Sequence, residues 1–151
     1  MNEIDEYMKL IVEPAFIDVS QNVQSVRHAY LACLAIYHVI DRAAYPDDPR
    51  NLAEQWKAES LAFTIVDEVA QHFKHGTRRW VKKMRTENPD ALLITNALGL
   101  EGALEDLETR NLYFQIRDAI EFVRNKVGVL SEKNRRNASA FDNPTDELKR
   151  P

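Results

Sequence analysis

One cysteine, four glycines and six prolines in 151 residues leave this chain poor in the residues that build disulfides and tight turns. Cys33 alone can form no internal disulfide, and its apolar neighbours mark it as a small buried hydrophobe. So few turn formers argue against a loop-rich all-β fold. No apolar run is long enough to cross a bilayer; the longest, Ala29 to Ile40, holds Tyr37 and His38. The N-terminus, Met1-Asn2-Glu3-Ile4-Asp5-Glu6, is acidic where a secretory leader would be basic, so a cytoplasmic location is expected. The glycines at 76, 99, 102 and 128 are scattered and make no phosphate-cradling loop. There is no serine in a nucleophile elbow, and the Glu-x-x-His set of a di-iron bundle is missing.

What is present reads as long helices. Hydrophobic residues at 44% and charged residues at 29% suit an ordinary globular chain, and the length favours one domain. We expect a single helical domain over residues 1–130 and a weakly packed polar tail over 131–151. Ile4, Met8, Ile11 and Val12 fall at helical spacing, and Pro14 is expected to end or kink that helix. From a cap at Ser20 or Asn22, the run Val23, Val26, Tyr30, Cys33, Tyr37 and Ile40 predicts a helix over 22–45. Pro46-Asp47-Asp48-Pro49 is a turn, and Leu52, Trp56, Phe63, Val66, Ala70 and Phe73 predict a second helix over 49–75, stopped by Gly76. Together these form a long antiparallel helix hairpin, the basis of an all-α bundle.

Residues 77–100 support two readings: a small β-hairpin over 79–95 that turns at Thr86–Asp90, or a helix capped at Asn88 that runs through Leu98 and ends at Gly99. Leu104 and Leu107 suggest a short helix. Leu112, Ile116, Ala119, Val123 and Val127 predict another, ending at Gly128. Within it, Asn111-Leu112-Tyr113-Phe114-Gln115 is similar to a protease site used to remove affinity tags. The helical periodicity runs straight through it, so it is read as native sequence.

Candidate chemistry gathers at the open end of the hairpin. Pairing through the turn sets Arg27 and His28 level with Asp67, with His75 one or two turns away. A carboxylate beside an imidazole raises its pKa and orients it, as a general acid or base requires. The bland alternative is a set of surface residues at two helix ends, His75 favoured there by the helix dipole. Glu68, His72 and His75 share a helical face, but a zinc site wants a further ligand, so no metal and no cofactor is expected. His38 with Asp41, level with Glu54 and Lys57, forms a second polar group.

Net charge is only −4, but its distribution is uneven. Lys74, Arg78, Arg79, Lys82, Lys83 and Arg85 follow one another with no acidic residue between, and Trp80 lies among them. Cations for phosphates and an aromatic for base stacking make a candidate single-stranded nucleic-acid contact. The alternative is a solvated basic face with Trp80 packed inward.

The segments Ser25-Val26-Arg27-His28-Ala29, His38 to Asp41, and Asp67 through Lys74-His75-Gly76 give the chain a resemblance to small bacterial proteins related to the HEPN helical superfamily. Covering residues 20–125, the resemblance implies a helical bundle, often dimeric, sometimes with a β-hairpin after the Lys-His. HEPN ribonucleases carry an Arg followed a few residues on by His; here no histidine follows His75. The leading expectation is therefore a non-enzymatic helical module that binds a macromolecule and forms homo-oligomers. The alternative is a ribonuclease-like enzyme using Arg27, His28, Asp67 and His75.

Overall fold

A computed structural model describes residues 2–75 and 109–141. The described part is all-α. Its elements are α1 (Glu3–Tyr7), a π-helical turn (Met8–Val12), α2 (Glu13–Gln21), α3 (Val26–Tyr37), α4 (Val39–Ala44), α5 (Pro49–Glu59), α6 (Leu61–His75) and α7 (Thr109–Phe141). The readings of residues 79–95, of Leu104 and Leu107, and of the last ten residues fall outside the described residues.

The helix hairpin is present, with both arms interrupted. Its first arm starts later than its periodicity implies. Asn22 leaves helical geometry at φ −135°, and Ser25 takes the N-cap, its Oγ accepting the His28 N–H at 3.3 Å. At His38 the helix breaks into α3 and α4, and the Arg42 guanidinium donates to the His38 carbonyl at 3.4 Å. At the turn, Asp48 caps α5 by accepting the Arg50 N–H, with Pro49 in the first helical position. The Arg50 side chain hydrogen-bonds the same carboxyl and holds it down at about 2. The second arm breaks at Ser60, which adopts extended geometry and offers its Oγ to the Phe63 N–H at 3.1 Å. Thr64 Oγ1 donates back to the Lys57 and Ser60 carbonyls, so the bend is held from both sides.

Two boundaries differ from the sequence expectation. Pro14 does not end the first helix. Proline removes an N–H and crowds the carbonyl four residues earlier. The π turn just before it widens the spiral there, with the Glu13 N–H bonded to the Met8 carbonyl five residues back. Gly128 does not end the last helix, which continues to Phe141. A Cβ at Gly128 would meet nothing within 4 Å, so the glycine faces open space inside a continuous helix.

Packing centres on α6, which contacts α3, α5 and α7. Phe63, Ile65, Val66 and Val69 on it are fully buried, against Ile36 of α3 and Leu112 and Ile116 of α7 within one core. Phe63 also meets Trp56 and Phe122 at centroid distances of 5.5 and 6.0 Å. The stretch similar to a protease site lies within α7, with Leu112 in the core and Tyr113 stacked on Phe16 at 5.6 Å. Cys33 is fully buried, and burial pushes its thiol well above its ordinary value.

Truncating Phe63 to Ala removes a ring from this aromatic group, and the expected loss is about 3–5 kcal/mol. Gly128→Ala, which fills no occupied space and stiffens the unfolded chain, should add about 0.5–1 kcal/mol. Urea unfolding followed by circular dichroism checks both signs.

Candidate functional site

Asp67, Glu68 and His72 on α6 are 4%, 4% and 7% exposed, in a helix otherwise packed with Val, Ile and Phe. A carboxylate removed from water is costly unless an opposite charge or a donor meets it. Lys57 of α5 supplies that charge. Its ammonium lies 3.6 Å from Asp67 Oδ2 and 2.7 Å from Glu54 Oε1. In one straight helix, ten residues would separate Lys57 from Asp67 by about 15 Å. The break in helical geometry at Ser60 bends α5 relative to α6, and the long Lys57 side chain spans the distance that is left. Burial alone would lower the Lys57 pKa. The Glu54 hydrogen bond and the charges of Asp67, Glu54 and Glu68 outweigh it, and the net shift is upward.

The other sequence candidates are distributed around this group. His28 is half-buried at the start of α3, with Nδ1 2.6 Å from Ser25 Oγ, so its ring completes the cap of its own helix. Arg27 is exposed. Among the described residues no hydrogen bond or ion pair joins Arg27 or His28 to Asp67. Lys74 and His75 end α6, and their side chains lie outside the described residues, as do Arg78, Arg79, Trp80, Lys82, Lys83 and Arg85. His38 and Asp41 pair at 2.9 Å on the surface, and Lys57 pairs with Glu54 at 2.7 Å.

The hollow against the α4–α5 turn has a volume of about 370 Å³ and is lined by Ala43, Ala44, Asp47, Asp48, Asn51, Leu52 and Gln55. It holds no imidazole, thiol or hydroxyl, and none of the candidate catalytic residues lines it. Among the described residues no three His, Cys, Asp or Glu side chains converge to hold a metal ion. None of the described helices is long and apolar enough to cross a membrane. No family model, curated protein or solved structure matches this chain.

The buried carboxylate group gives a defined pH signature. Because the folded state raises the Lys57 pKa, its stabilisation is complete below the ordinary lysine value and disappears as pH rises through the raised one. Lys57→Met should cost about 1–3 kcal/mol at neutral pH, since it withdraws a partner from a buried carboxylate. The deficit should shrink at strongly alkaline pH, where wild-type Lys57 also loses its charge. Parallel urea titrations of both proteins across that range measure it; a deficit that stays constant contradicts the pairing.

Proposed function

We propose that this chain is a non-enzymatic helical module that binds a macromolecular partner and associates with itself. The observation that carries this reading is how the candidate catalytic side chains are employed. Asp67 pairs with Lys57 across a helix bend, and His28 completes the Ser25 cap. Groups held inside a bundle by such contacts serve cohesion, and an acid–base catalyst needs a concave site that a substrate can enter. The resemblance to HEPN-related proteins, often dimeric, agrees with this reading, as does the lack of a histidine after His75.

Single-stranded nucleic acid is the partner class that the basic run favours, through Lys74, Arg78, Arg79, Lys82, Lys83 and Arg85 with Trp80 for stacking. Labelled single-stranded RNA should shift at low salt, with affinity falling at a log–log slope of about −0.7 for each phosphate contact. The triple reversal Arg79→Glu, Lys82→Glu, Lys83→Glu should abolish the shift and leave the helical spectrum unchanged. RNA cleavage lost in His28→Ala and Asp67→Asn would replace this reading with the ribonuclease-like one. A protein that shifts no RNA at low salt loses nucleic acid as its partner.

A further inference from the structure

The stretch similar to a protease site, Asn111–Gln115, lies at the start of α7. Leu112 in it is buried in the core, and Phe114 is 52% exposed. A single exposed apolar side chain is ordinary. Phe114 differs because it belongs to a row of rings. Phe16 of α2 stacks on Tyr113 with centroids 5.6 Å apart and planes at 17°, and Tyr113 meets Phe114 at 5.3 Å and 77°. The Arg117 guanidinium lies over the Phe114 ring, 5.3 Å from its centroid. Asp118 pairs with that guanidinium at 2.9 Å, so Phe114 is framed by a ring and a held cation.

Its position in the bundle relates it to the basic run. Glu59 meets Lys126 and Phe63 meets Phe122, so four residues forward into α6 correspond to four residues back along α7. The two helices are therefore antiparallel, and α6 ends beside the start of α7. His75 lies twelve residues after Phe63 and Arg110 twelve before Phe122, which sets the two at about the same level. Phe114 is one helical turn further along α7, about 6 Å. The run Lys74, Arg78, Arg79, Lys82, Lys83 and Arg85 begins where α6 ends, and hence at the Phe114 end of the bundle.

We propose that Phe114, braced by Tyr113 and Arg117, is a base-stacking platform for the single-stranded nucleic acid that the basic run attracts. The inference rests on the nucleic-acid reading above and adds a contact to it. Every nucleobase has a π face, so an exposed ring can take any of them without reading sequence. Arg117 shares its charge with Asp118, and Glu121 is exposed one turn further on, so the platform itself carries little net charge. Its contribution is stacking, while the attraction for phosphate comes from the basic run. The two respond differently to salt, because only neutralised phosphates release counterions.

Fluorescence anisotropy of a labelled single-stranded RNA, titrated with the full chain at several salt concentrations, separates them. Phe114→Ala should weaken binding roughly tenfold and leave the log–log salt slope at its wild-type value. Phe114→Tyr keeps the ring and should bind as wild type does. Phe114→Leu, apolar but without a π face, should lose as much as the alanine variant. Circular dichroism should show each variant fully helical, and light scattering should give each the wild-type mass. If the alanine variant loses helicity, the tyrosine and leucine variants decide the question. A Phe114→Ala protein that binds as tightly as wild type overturns the platform and leaves the basic run as the nucleic-acid site. A leucine variant that binds as wild type overturns stacking. A change of mass with RNA affinity unchanged reassigns Phe114 to contact between copies. A wild type that binds no RNA at low salt overturns the platform together with the nucleic-acid reading.

Discussion

A helix enclosed on most of its faces can carry charge only where a neighbouring helix delivers the opposite charge, and α6 is such a helix. Asp67 and Glu68 sit in it among Phe63, Val66 and Val69. Lys57 reaches Asp67 because the helix breaks at Ser60 and bends α5 relative to α6. The Ser60 cap, the Thr64 hydroxyl and the Lys57 ammonium act together: the first two hold the bend, and the bend brings the cation to the carboxylate. With Lys57 removed, a buried carboxylate would weigh against the packing that places α6 between α3 and α7.

The first helix solves a different problem. Proline inside a helix forfeits a hydrogen bond and crowds the preceding turn, yet α1 to α2 remains helical through Pro14 because the π turn relieves the crowding. The widened turn keeps Met8, Val12 and Val19 directed into the core. It also leaves Leu10 and Ile17 on the outer side, at 60% and 52% exposure. The helix therefore has one face committed to its own bundle and another turned to solvent.

Among the described residues, polar pairings are mostly local or serve to join helices: Ser25 with His28, His38 with Asp41, Lys57 with Asp67, Glu13 with Arg124. The first two finish helix ends or surface turns, the third joins the consecutive helices α5 and α6, and the last connects α2 to the distant α7.

Hydropathic period and turn chemistry were enough to determine the all-α class, the hairpin, the turn at Pro46–Pro49 and the burial of Cys33, because each depends on neighbours within a few residues. Ser60, a good N-cap followed by Phe63 and Thr64, was a readable signal for the bend, but the apolar stripe from Trp56 to Phe63 continues across it and masks it. Pro14 and Gly128 mislead for the same reason. Each has a local propensity to end a helix, yet the chain stays helical through it, by way of a π turn in one case and directly after the buried Val127 in the other. The pairing of Asp67 with Lys57 was beyond the sequence: a hairpin register assigns positions along two straight rods, whereas the break at Ser60 changes how residues ten apart face one another, and only the folded structure sets that geometry.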